Sequence, residues 1–188
     1  MKFAIISAGE GSRLAQEGVQ LPKPLVQLNG MAMIDRLIHI FAKNGAEEVV
    51  VIINNEVALT KEHLSKLEKT SEVPLRVIVK TTPSSMHSFY LKDDRFCLTT
   101  VDTIFREEEF SRFFDAFKAF EGDGMMAVTD YIDDEKPLYI GTDEDRNITG
   151  FYDTLQPDTR YISGGIYCLS PNSIVTLEKC MAQGMSRM

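Results

Sequence analysis

Two hydrophobic periods alternate along the chain. The run at 3–7, Phe3-Ala4-Ile5-Ile6-Ser7, is short and mostly apolar and leads into glycines, which predicts a strand buried on both faces. Met33, Ile34, Leu37, Ile38 and Phe41 recur at helical spacing and predict a helix over 33–42, stopped by Asn44-Gly45. Residues 49–53 are all β-branched, the mark of a central strand. Leu59, Leu64 and Leu67 mark a polar helix, and residues 75–79 a third strand. A fourth strand, 96–101, ends at Asp102. Over 107–120, Phe110, Phe113, Phe114, Phe117 and Phe120 form a helical stripe, read as a core-facing helix rather than an aromatic ligand box. Residues 125–132, 138–140 and 162–169 are strand-like, 143–147 is a polar turn, and Pro171 opens a last helix.

Strands alternating with helices predict an α/β fold: a Rossmann-like, three-layer αβα arrangement with a mixed, mostly parallel sheet. At 188 residues, 44% hydrophobic and 26% charged, the chain has the size and balance of one ordinary domain. Cys97, Cys168 and Cys180 are far apart and lack metal-ligand spacing, so they read as reduced thiols in a reducing compartment. The first apolar run is too short for a signal peptide or a membrane span, which points to the cytoplasm. A net charge of −8 argues against nucleic acid or an anionic membrane as partner. An anionic substrate would therefore rely on a few local cations.

Those cations stand next to the first strand. Ile6-Ser7-Ala8-Gly9-Glu10-Gly11-Ser12-Arg13-Leu14 can turn backbone amides toward a phosphate. No Gly-Lys-Ser/Thr follows, so this is not a P-loop; Leu14 replaces the third glycine of a dinucleotide fingerprint. What remains is Gly-x-Gly-Ser-Arg, with Pro22-Lys23-Pro24-Leu25 shortly after it. The prolines stiffen the backbone around Lys23. Arg13 and Lys23 together are expected to clamp a triphosphate.

These motifs resemble those of the sugar-phosphate nucleotidyltransferases, the nucleotide-sugar pyrophosphorylases. The likeness rests on Ile6–Leu14, on Leu21-Pro22-Lys23-Pro24-Leu25, and on Val26-Gln27-Leu28-Asn29-Gly30 with Met33-Ile34. Further on it rests on the segment 97–105 around Asp102, on Ile148-Thr149-Gly150-Phe151 and on Gly164-Gly165-Ile166-Tyr167. The resemblance implies transfer of a nucleoside monophosphate from a nucleoside triphosphate to a sugar phosphate, with release of pyrophosphate. It implies Mg2+ on Asp102, with Arg13 and Lys23 steadying the phosphates. Ala8, Gly9, Glu10, Gly11, Ser12 and Ser85 would contact the nucleotide, with Ser84 and His87 also near the base. Asp153 and Gly165 would face the second substrate.

The sequence departs from the family pattern in several places. Val101 stands where a glycine usually precedes the metal aspartate, and Thr154 stands where a lysine usually holds the sugar phosphate. After Asp158 the chain has no aspartate, so a second metal aspartate either lies beyond Met188 in a longer protein or is replaced. Residues 1–188 are thus expected to form a single nucleotidyltransferase domain, complete or lacking its C-terminal part. The alternatives are a cytidylyltransferase for another phosphorylated metabolite such as phosphocholine, a transferase of the molybdenum-cofactor type, and a non-catalytic nucleotide-binding module. His39 and His63 fall in helices and read as structural or exposed.

Overall fold

The computed structural model describes residues 1–7, 18–54, 58–79, 94–132, 137–157 and 159–183. Strand β1 (Lys2–Ser7) lies between two parallel neighbours. On one side it pairs with β4 (Glu48–Ile53), Phe3 opposite Val49, and β4 pairs with β5 (Leu75–Val79). On the other side it pairs with β6 (Phe96–Thr100), Ile6 opposite Thr100. Strands β1 and β4 are buried on both faces, which is why both read as apolar runs rather than alternations.

Beyond β6 the sheet turns antiparallel. Strand β10 (Tyr161–Leu169) runs against β6, with Cys168 facing Cys97. It also runs against β7 (Gly124–Thr129) and β8 (Tyr139–Thr142), and β8 continues into the edge strand β9 (Ile148–Tyr152). The expected mixed sheet is thus parallel across its first four strands and antiparallel across the rest.

Helices α1 (Met33–Lys43), α2 (Ala58–Leu67) and α3 (Glu107–Ala119) cover one face of the sheet. Helix α4 (Pro171–Ala182) covers the other, where Ile174 meets Ala4, Ile6, Val50 and Leu98. The three layers follow from the alternation of side chains along each strand. Phe3 lies at the centre of the first face, its ring 4.6 Å from that of Phe41 and 4.8 Å from that of Phe114. Of the phenylalanine stripe, Phe110, Phe114 and Phe117 are buried. Phe120 follows the helix end and is exposed, because α3 stops at Ala119.

Two strands end earlier than the sequence reading, and one element is new. Strand β6 ends at Thr100, because Val101 and Asp102 already form a turn. Strand β7 ends at Thr129, short of the expected 132, and leaves Tyr131 and Ile132 exposed. A small hairpin, β2 (Gln27–Leu28) with β3 (Met31–Ala32), was not anticipated. Its turn is Asn29-Gly30 with φ +51° and +85°, the two positive values a primed two-residue hairpin requires. Helix α1 closes as expected: Asn44 Nδ2 donates to the Ile40 carbonyl at 2.8 Å, and Gly45 takes φ +77°.

Candidate active site at the ends of the central strands

The C-terminal ends of β1 and β6 lie side by side. From β1 the chain proceeds to β4 and β5 on one side, then crosses to β6 on the other. Such a reversal of strand order leaves a crevice beyond the carboxyl ends of the strands, the usual ligand position in open α/β sheets. β1 leads directly into residues 8–17, which carry Ala8, Gly9, Glu10, Gly11, Ser12 and Arg13. These lie outside the described residues, as do Ser84, Ser85 and His87.

Two of the expected residues meet at this crevice. Residues Lys23–Leu25 form a single 3-10 turn, closed by the Leu25 amide on the Pro22 carbonyl at 2.8 Å. The turn holds Lys23 over the sheet edge, where its ammonium donates to the Asp102 carboxylate as an ion pair. Partial burial raises the Asp102 pKa, but the Lys23 charge and a hydroxyl bond from Thr100 outweigh it. The carboxyl therefore sits below its ordinary value and is a charged acceptor at neutral pH.

The turn beneath Asp102 is held by two backbone bonds. The Val101 amide bonds the Ile6 carbonyl at 3.0 Å, and the Val101 side chain is buried. The Thr103 amide bonds the Thr100 carbonyl at 3.2 Å. From α1, the Arg36 guanidinium bonds the Phe105 carbonyl and lies 5.2 Å above the Phe105 ring. The sequence reading missed Arg36, Thr100 and Thr103; threonines ending a strand beside an aspartate were the available sign. It also missed Ser7 as a site residue. The Ser7 hydroxyl, at the end of β1, is buried and has no hydrogen-bond partner among the described residues.

The two residues expected at the second substrate separate. Gly165 packs against the Asp102 turn, its carbonyl 3.0 Å from the Thr99 hydroxyl. Asp153 instead lines a cavity of about 610 Å³ with Leu138, Phe151 and Tyr167, and neither Lys23 nor Asp102 lines that space. His63 stands apart from Asp102, its Nε2 2.6 Å from the Asp35 carboxylate, and His39 is exposed. Among the described residues no three His, Cys, Asp or Glu side chains gather as a metal site. A single carboxylate still suits Mg2+, which commonly binds through one or two carboxylates, substrate phosphates and water. Asp102 is the carboxylate at this crevice that could hold the ion. Among the described residues no helix is long and apolar enough to cross a membrane.

Comparison with known proteins gives the family and the fold. The mannose-1-phosphate guanyltransferase of Saccharomyces cerevisiae is 28% identical over 191 residues, covering 95% of this chain and 52% of that protein. Its Schizosaccharomyces pombe namesake is 26% identical with the same coverage. The chain thus spans about half the length of these curated relatives. The solved inositol-1-phosphate CTP transferase of T. maritima superposes with a TM-score of 0.77 at 18% identity, covering 98% of this chain and 82% of that one, and shares the fold. Residues 3–146 match the MobA-like NTP transferase domain, and the chain belongs to that family.

Proposed function

We propose that this protein is a nucleotidyltransferase that moves a nucleoside monophosphate from a nucleoside triphosphate onto a sugar phosphate and releases pyrophosphate. The observation that carries this reading is the Lys23–Asp102 ion pair at the carboxyl ends of β1 and β6, with Gly-x-Gly-Ser-Arg following β1 in the sequence. Membership of the MobA-like family and likeness to two mannose-1-phosphate guanyltransferases support it.

In the proposed reaction a phosphate oxygen of the acceptor attacks the α-phosphorus. A new P–O bond forms as the bond to the β-phosphate oxygen breaks, and pyrophosphate leaves with the electron pair. An anionic phosphate is already a nucleophile, so the chain needs no general base. Its task is to position the reactants and neutralise charge. Amides of residues 9–12 would cradle the phosphates, Arg13 would hold the leaving pyrophosphate, and Lys23 would turn from Asp102 to the α-phosphate. Asp102 would then be free to hold Mg2+, which when bound screens the charge of the phosphate oxygens. Asp153 lines a separate cavity with Phe151 and Tyr167, so no reacting group is assigned to it.

The test is the melting temperature with each of the four nucleoside triphosphates, with Mg2+ and with chelator. A Mg2+-dependent rise selective for one base is expected; a ligand at 100 times its dissociation constant adds about 2.7 kcal/mol. Pyrophosphate release with mannose 1-phosphate, glucose 1-phosphate and phosphocholine then identifies the acceptor. No rise with any triphosphate would refute the reading.

A further inference from the structure

The hydroxyl groups around Asp102 form a closed set. The Thr99 hydroxyl donates to the Gly165 carbonyl at 3.0 Å. The Thr100 and Thr103 hydroxyls lie 2.8 Å apart, and the Thr103 hydroxyl is also 3.5 Å from the Gly165 carbonyl. Each threonine has one hydroxyl proton to give. Thr99 shares its proton between the Gly165 carbonyl and the Thr100 carbonyl, the latter at 3.2 Å. When Thr103 donates to Thr100, the Thr100 proton is left for the neighbouring Asp102 carboxylate, and the 3.5 Å approach of Thr103 to the Gly165 carbonyl is a packing contact.

Gly165 enters this set through its backbone. It takes φ +73°, and a Cβ there would lie 2.5 Å from the Thr103 hydroxyl and 3.3 Å from that of Thr100. The pairing of β10 with β7 shifts register between Ser163 and Tyr167, around this residue. The Gly165 amide closes the bulge on the Ser163 hydroxyl at 3.3 Å. The bulge aims one carbonyl of β10 at the strand end that carries Asp102, the kind of re-aiming that bulges provide beside functional sites.

We propose that Thr103 and Gly165 are positioning residues, a clasp in which Thr103 holds the Thr100 hydroxyl and Gly165 holds the Thr99 hydroxyl, fixing the Asp102 turn so that its carboxylate keeps its place when Lys23 releases it. Gly165 thereby acts on β6 rather than on a substrate. The proposal rests on the reading that Asp102 meets a metal–triphosphate. Val101 is buried and bonded to Ile6 on the near side of the turn, so the clasp supplies the anchor on the far side.

Thr103→Val keeps the shape and removes the hydroxyl; Thr103→Ser keeps the hydroxyl. Binding of each of the four nucleoside triphosphates is measured by titration calorimetry with Mn2+ and with chelator. Thr103→Val is expected to weaken Mn2+-dependent binding by about 10-fold, the usual effect of losing an outer support of a metal ligand. Binding in chelator should stay within about two-fold, and Thr103→Ser should match wild type. Wild-type Mn2+-dependent affinity in Thr103→Val overturns the proposal, as does an equal loss with and without Mn2+. Absence of Mn2+-dependent binding in the wild-type chain would refute the site reading itself. Amide exchange at Val101 and Thr103 then decides the clasp alone: about 10-fold faster exchange in Thr103→Val, restored in Thr103→Ser, supports it, and unchanged exchange overturns it.

Discussion

Lys23 and Asp102 stand 79 positions apart in the chain and form one ion pair at the edge of the central strands. Both side chains are partly solvated, 31% and 42% exposed, so the pair contributes little to stability. The value of the arrangement lies in where it holds the charges. Lys23→Ala is expected to lower pyrophosphate release by about 100- to 1000-fold, the cost of one missing transition-state cation. Its melting temperature should stay close to wild type. Wild-type turnover in this variant would remove Lys23 from the mechanism.

The same pair sets a pH dependence. The Asp102 carboxyl is depressed in the folded chain, so its contribution to stability is complete above the ordinary carboxylate value of about 3.9. It is lost as pH falls through the lower folded value. Wild type should therefore lose more stability than Asp102→Asn between pH 5 and the acid limit of folding, and no difference should accumulate between about pH 5 and 7. Melting curves of the two proteins across this range check the sign.

Arg36 ties α1 to the segment after Asp102, through the Phe105 carbonyl and the Phe105 ring, which itself stacks on Phe110 at 5.1 Å. Removing it leaves a carbonyl without its charged donor and a ring without its cation. Arg36→Ala should cost about 2 kcal/mol, read as a lower urea midpoint at unchanged slope. Arg36→Lys should recover only part of this, since an ammonium cannot bond the carbonyl and lie flat over the ring as a guanidinium does.

Phe3 is fully buried against Phe41, Phe110 and Phe114, contributed by α1 and α3. Phe3→Ala should cost about 3–5 kcal/mol, since a cavity would open where three elements join. Phe120→Ala, from the same aromatic stripe but at an exposed position, should change stability by less than about 1 kcal/mol. Equilibrium denaturation of the two variants separates burial from aromatic content.

The elements most readable in the sequence were those with both faces buried or one strict face. Residues 49–53 and the positions Met33, Ile34, Leu37, Ile38 and Phe41 carry their periods without interruption, and β4 and α1 follow them. The hairpin at Gln27–Leu28 and Met31–Ala32 was harder, because each arm is two residues long and shows no period. Asn29-Gly30 was its only local sign. Within the site, Lys23 and Asp102 were legible as motif residues, but their meeting depends on β1 and β6 being neighbours, which no local pattern states. Gly165 was noticed for its glycine pair and assigned to a substrate. Its contact with Thr99 arises because β10 runs antiparallel to β6, a pairing set by topology rather than by spacing.

That antiparallel pairing has a consequence for the order in which the molecule is made. A chain emerging from the ribosome releases β1, Lys23 and β6 well before β10. The parallel strands and α3 can gather while residues 161–169 are still unsynthesised or unpaired. The strand end bearing Asp102 gains its contact with Gly165 across a separation of 66 positions from Thr99, so the site is completed late. Conditions that slow the docking of β10 would leave a nascent domain with most of its core in place but without the finished turn at Asp102.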